Sequence, residues 1–182
     1  MKELSLHILD ITQNSIRAEA SLVALMISES IADNNLTIII EDNGNGIPAD
    51  KLATISDPFV TSRTTRKVGL GLSLFKAAAE ACDGFFEITS EFGVGTKVIG
   101  SFRRDHIDRV PLGNMADTIV TMVMSFGAAD LIYEHNYNHR LFSFDTREIK
   151  ETLEVTTLNE VDILNWIREF VKEGLEEIKE EE

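Results

Sequence analysis

The sequence predicts an α+β fold: a two-layer sandwich with helices on one side of a largely antiparallel mixed sheet, plus a small C-terminal α+β appendage. Three observations carry that prediction. Val-, Ile- and Leu-rich runs come in pairs separated by turn residues, which reads as hairpins. Between the pairs lie segments whose apolar residues recur at helical spacing. The length of 182 residues, 43% hydrophobic and 26% charged, fits one sizeable domain with a smaller addition.

The elements follow in order. The first helix contains Leu9 to Ala18; its apolar surface is Ile8, Leu9, Ile11, Ile16, Ala18 and Ala20. Asp10, Gln13, Asn14 and Arg17 recur there at i, i+3, i+4 and i+7, one polar stripe along the helix. Such a stripe faces water unless the rest of the chain supplies another neighbour, and Gln13 is expected to be a solvent contact. Leu22 to Ser30 and Leu36 to Ile40 form a hairpin around the turn cluster at 32–35, followed by the loop Glu41 to Pro48 and a short helix near 49–55. Gly69 to Cys82 is a helix ended by Asp83 and Gly84; Phe85 to Glu91 and Thr96 to Arg103 are strands joined across 92–95.

Pro111 and Gly113 mark a boundary, which divides the chain into residues 1–104 and 105–182. Beyond it come a helix (Asn114 to Phe126), a hairpin (Asp130 to Tyr137 and Arg140 to Phe144, turning at Asn138 and His139) and a helix after Asp145. The last helix opens on a capping box, Thr157 to Glu160, and frays into an acidic tail. Its apolar face and that of Ile119 to Met124 are expected to cover the free side of the sheet or each other, a homodimer contact being the alternative.

Seventeen Lys and Arg against thirty-one Asp and Glu leave a net charge of −14, which excludes a nonspecific nucleic-acid or anionic-membrane surface. The single cysteine, Cys82, can form no internal disulfide and reads as a small buried residue. The four histidines lack metal-ligand spacing, and His7 is expected at the surface or satisfied at the helix start. With no secretion signal and no apolar run near the ~20 residues of a membrane span, a cytoplasmic location is expected.

Three glycine-bearing loops point to chemistry. The loop at 41–52 fails as a calcium site, since Glu41 and Leu52 stand where Asp and a bidentate carboxylate are needed. Gly69, Leu70 and Gly71 do not complete the dinucleotide fingerprint, and no phosphate-loop motif occurs. Asp42 ends an apolar strand and could hold an acceptor for an exocyclic amine, with Gly44 and Gly46 letting backbone approach a ring; a plain turn is the alternative. Arg63, Arg66 and Lys67 precede a helix start whose backbone N–H groups suit an anion, although charged loops are often simply solvated.

The order of Asp10 to Asn14, Asp42 to Gly46, Asp57 to Arg63, Gly69 to Ser73 and Gly93 to Thr96 resembles the GHKL superfamily of ATP-binding domains over about residues 4–103. The wording DPFVTSR…VGLGLSL is most similar to the histidine kinase-like catalytic domain. The resemblance implies a Bergerat-type ATP-binding fold that uses ATP and Mg2+. It implies that Asp42 accepts from the adenine amine with help from Thr96, that Asn14 ligates the metal, and that Arg17 lies near the phosphates. Gly44 and Gly46 then belong to the adenine side, and Arg63, Arg66, Lys67, Gly69, Leu70 and Gly71 to the phosphate side. Asp10 stands where ATPases and serine kinases of the superfamily carry a Glu base and histidine kinases a non-acidic residue, so its role is catalytic or in the metal's surroundings. Few residues precede the first helix where histidine kinases carry their phosphoacceptor hairpin. The expected function is therefore Mg-ATP-dependent phosphorylation of a separate partner protein. The alternatives are a slow ATPase or nucleotide-gated switch, with Thr61 to Val68 as lid, and a pocket kept only as structural support.

Overall fold

The structure, a computed structural model, describes residues 1–55 and 70–180. Its elements are α1 (Leu4–Arg17), β1 (Leu22–Ser30), β2 (Asn35–Asp42), α2 (Ala49–Ile55), α3 (Leu70–Ala81), β3 (Phe86–Glu91), β4 (Gly95–Arg103), α4 (Met115–Phe126), β5 (Asp130–Tyr137), β6 (Arg140–Asp145), α5 (Thr146–Leu153) and α6 (Val161–Lys179). One six-stranded sheet runs in the order β3-β4-β2-β1-β5-β6. Every pairing is antiparallel except β1 with β5. The α+β two-layer expectation holds.

Alternation places one residue set inward. Val23, Leu25 and Ile27 share a face with Ile40, Ile38 and Leu36, and these six are at most 2% exposed. Val98 and Phe102 extend that face on β4, as Leu131 and Tyr133 do on β5. Helices α1, α3, α4 and α6 cover it through Ile8, Ile11, Leu72, Phe75, Ile119, Met122, Ile167 and Val171. Ala24, Met26, Ile39 and Ile99 on the opposite face stay partly exposed. Gly100 sits under the Phe75 ring, where an added Cβ would lie 2.4 Å from Cζ.

The region after residue 105 continues this architecture. β5 adds to the sheet edge parallel to β1, from Leu22 opposite Asp130 to Glu29 opposite Tyr137. α4 and α6 pack on each other and on the same face as α1, so they do not cover the sheet's other side. The backbone of the boundary segment is tied in, since Pro111 and Leu112 carbonyls accept from the Leu4 and Ser5 N–H groups at 2.9 Å. These carbonyls satisfy two of the donors that a helix start leaves unpaired.

Three local expectations need correction. The capping box does not form: α6 begins at Val161 after Glu160, with no side-chain cap, while Leu158 is 1% exposed and draws the preceding segment into the core. His7 is 4% exposed and packs on Phe75, its Nδ1 without a hydrogen-bond partner among the described residues; burial holds its pKa below the ordinary histidine value. It lies one turn before Ile11 on the buried side of α1, where periodicity overrides its polarity. Gln13 is not a free solvent contact, since its Nε2 donates to Ser125 Oγ at 2.6 Å and so ties α1 to α4.

A polar chain lies in the β1–β5 core. Tyr133 Oη meets His135 Nδ1 at 2.7 Å, and His135 Nε2 meets Glu29 Oε1 at 2.8 Å. With the proton on Nε2, the tyrosine donates to Nδ1 and the imidazole to the carboxylate, satisfying all three groups. Burial pushes the Tyr133 hydroxyl pKa up. Burial alone would raise that of Glu29, but the His135 hydrogen bond, with Lys179 and Arg104 nearby, leaves it lowered. Among the described residues no helix is long and apolar enough to cross a membrane.

Candidate functional site

A cleft of about 270 Å3 opens between α1, the end of β2, β4 and α3. Ile11, Ile40, Ile47, Leu72 and Val98 give it apolar walls, and Asn14, Ser15, Arg17, Asp42, Asn45, Gly46 and Thr96 also line it. Its size lies just under the roughly 300–1,000 Å3 common for ligand sites, so it suits a flat ring better than a whole nucleotide.

Asp42 is held at both oxygens. Oδ1 accepts from the Gly44 N–H at 2.9 Å, and Oδ2 from Ser15 Oγ at 2.5 Å. Thr96 lies directly opposite Asp42 in the β2–β4 register. Ser90 Oγ lies 2.8 Å from Thr96 Oγ1, donates to the Gly95 carbonyl and accepts from the Ile47 N–H. Because its one proton goes to Gly95, Thr96 is the donor in their pair.

The loop after Asp42 is clamped between α1 and the β3–β4 turn. Asn45 donates its N–H to the Ala18 carbonyl and accepts from the Gly93 N–H, both at 2.7 Å. Asn43 Oδ1 accepts from the backbone N–H groups of Ser21 and Leu22. Gly46 has φ +69° with an added Cβ only 2.1 Å from the Glu91 carbonyl oxygen, so glycine is required by the protein's own backbone and not only by a ligand. At Gly44 a Cβ would approach the Ala18 carbonyl oxygen to 2.7 Å.

The polar stripe of α1 runs away from Asp42 toward the start of α3. Asn14 and Arg17 line the cleft, Arg17 Nη1 donating to Asn14 Oδ1 at 3.2 Å. Asp10 does not line it; it is exposed and stands against Gly71, whose added Cβ would lie 3.2 Å from Asp10 Cβ. Leu70 is 64% exposed at the same place. The structure thus brings Asn14, Arg17, Asp42, Gly44, Gly46 and Thr96 together, with Asp10, Leu70 and Gly71 beyond one end. Arg63, Arg66, Lys67 and Gly69 lie outside the described residues, as does the segment Thr61 to Val68.

Sequence reasoning missed Ser15, Ser90 and Gln13. For Ser15 a signal existed: it follows Ile8 and Ile11 at i+7 and i+4 on the buried stripe, and a polar residue 3% exposed on an apolar stripe needs a partner. Ser90 had none, because its role depends on β3, β4 and the loop after β2 meeting.

Residues 2–106 match the family model described as histidine kinase-, DNA gyrase B-, and HSP90-like ATPase. The chain is 32% identical over 88 residues to sporulation kinase C of Bacillus subtilis, covering 48% of this chain and 20% of that protein. It is 36% identical over 91 residues to the sensor protein kinase WalK of Staphylococcus haemolyticus, covering 47% and 15%. With the sensor kinase CckA of Brucella abortus it shares 45% identity over 58 residues, covering 31% and 6%. The chain thus spans a fifth or less of the length of these relatives. A match over more than half the chain, joined to a sheet-and-helix cleft built around Asp42, makes this protein a member of the histidine kinase-, DNA gyrase B- and HSP90-like ATPase family.

Proposed function

We propose that this protein binds Mg-ATP with the adenine in the α1–β2–β4–α3 cleft and the phosphates beyond it, and transfers the γ-phosphoryl group to a nucleophilic side chain of a separate partner protein. ATP binding follows from the family, and the kinases among its relatives give the direction of the reaction. The observation that carries the reading is the doubly held Asp42 carboxylate at the foot of an apolar slot, one end of a polar stripe that leads to α3. In this reading Asp42 accepts from the adenine amine, and Ile11, Ile40, Leu72 and Val98 enclose the ring. Ser15 and Gly44 hold the acceptor in place before the base arrives.

Mg2+ takes oxygen ligands and keeps several waters, so one or two protein oxygens suffice. Asn14 Oδ1, shared with Arg17 in the structure, is the hard oxygen suited to it, and the ion would neutralise phosphate charge. Arg17 and the basic residues Arg63, Arg66 and Lys67 balance the remainder, and the backbone at Gly69, Leu70 and Gly71 receives phosphate oxygens. Asp10, beside Gly71, takes the proton of the attacking group as its oxygen or nitrogen bonds to the γ-phosphorus and the bond to ADP breaks. Residues 1–104 act as the nucleotide unit and 105–182 as the contact with a partner or a second copy, in the cytoplasm where ATP is supplied.

A second reading, a slow ATPase or nucleotide-gated switch, draws on the Gln13–Ser125 bond, which links the cleft helix to α4 next to Asn14. One experiment separates them: incubation with γ-labelled ATP and a cell extract, using wild type and Asn14→Ala. Label on another protein, lost with Asn14→Ala, is the expected result. Phosphate release without protein label favours the switch, and neither event, with no calorimetric heat on adding ATP, overturns both.

A further inference from the structure

The groove between α5 and α6 is unused by the nucleotide reading. It measures about 500 Å3 and is lined by Ile149 and Leu153 of α5, Ile163 and Trp166 of α6, and by the carboxylates Glu148 and Asp162 facing from the two helices. Apolar side chains here are unusually open to solvent: Leu153 is 47% exposed, Val161 71% and Trp166 51%. Trp166 stacks on Phe170 with ring centroids 5.1 Å apart, so a rigid aromatic ledge flanks the groove. A contiguous apolar patch of this kind with a polar rim marks an interaction surface, and a partly open tryptophan is a frequent energetic anchor.

Charge identifies the occupant. Among the described residues, the cations of α5 and Arg168 of α6 are already engaged: Arg147 with Asp145 at 2.7 Å, Lys150 with Asp130 at 2.8 Å and Arg168 with Asp117 at 2.8 Å. Among the described residues Glu148, Glu151, Glu154, Glu160, Asp162 and Glu169 have no cation in ion-pair range. An apolar floor between uncompensated carboxylates is complementary to a segment with an apolar stripe flanked by Lys or Arg. We infer that the α5–α6 groove docks a cationic amphipathic helix of a partner protein, its apolar residues at i, i+4 and i+7 seated between Leu153 and Trp166 and its basic residues on the acidic rim. This does not depend on phosphotransfer and stands or falls separately from it.

Trp166 is the chain's one tryptophan, so its fluorescence reports this groove alone. The test titrates the full chain with a Trp-free synthetic helical peptide carrying Leu at i, i+4 and i+7 and Lys on the flanks, and with the same peptide carrying Glu in place of Lys. The expected result is a saturable blue shift with the Lys peptide, at least tenfold weaker binding of the Glu peptide, and weakening of the Lys peptide by salt. Glu148→Lys combined with Asp162→Lys should reverse the preference, whereas Glu80→Lys combined with Glu87→Lys, both far from the groove, should not. Leu153→Glu, at an exposed position and with unchanged circular dichroism, should lose at least tenfold in affinity. Equal response to both peptides, response to neither, a dimer in sedimentation that Leu153→Glu dissociates, or a shift with anionic vesicles but not with peptide would each overturn the inference.

Discussion

Asp42→Asn tests the base-recognition role with the least disturbance to the fold. The amide keeps its oxygen where Oδ1 accepts from Gly44 at 2.9 Å, and places its NH2 where Oδ2 meets Ser15 Oγ. A serine hydroxyl can rotate to accept, so both local bonds persist and stability should change by no more than about 1 kcal/mol. Toward adenine the change is severe: an N–H donor now meets the N–H donor of the exocyclic amine. A hydrogen bond to a charged acceptor contributes about 1.5–3 kcal/mol, and about 1.4 kcal/mol is tenfold in affinity, so ATP should bind roughly 10- to 150-fold more weakly. A donor at this place suits a carbonyl oxygen, so GTP should lose far less. Calorimetric titration with ATP and with GTP, in the presence of Mg2+, reads both effects, and thermal unfolding confirms the fold. A Kd for ATP within twofold of wild type, with the melting temperature unchanged, would refute the assignment of Asp42 to the adenine amine.

Two further outcomes concern the scaffold. Gly100→Ala forces a Cβ to 2.4 Å from the fully buried Phe75 ring, an overpacking that costs about 1–3 kcal/mol; scanning calorimetry should show a lower melting temperature, partly restored by Phe75→Leu in the same chain. Glu29→Gln probes the buried polar chain. The folded pKa of Glu29 lies below its ordinary value, so its contribution is present above the ordinary value and is lost as pH falls through the folded one. The variant should be less stable than wild type at pH 7 by about 1–2 kcal/mol, and the gap should narrow toward pH 3 in denaturant titrations; a gap independent of pH would count against an ionised Glu29 carboxylate in that chain.

What could be read from the chain was local or repeated along it. The β1–β2 and β5–β6 hairpins, the latter turning on Asn138 and His139 with φ of 48° and 71°, follow from turn residues between alternating runs. The ordered motifs around Asn14, Asp42 and Gly71 made the family legible, because several short patterns recur in one order along residues 2–106.

Contacts between distant segments were decided only by the tertiary structure. That β5 joins β1 in parallel, making residues after 105 part of the same sheet, depends on which sheet edge and which helix faces bury most apolar surface together. Ser15 beneath Asp42, Gln13 bound to Ser125 and His7 against Phe75 arise the same way: each is a side chain whose partner is 27 to 112 positions away or whose burial is set by another helix. Period and turn chemistry determine what a segment becomes, since they act on neighbouring dihedrals. They carry no information about what that segment will touch, because burial is shared among segments that meet only when the whole chain has folded.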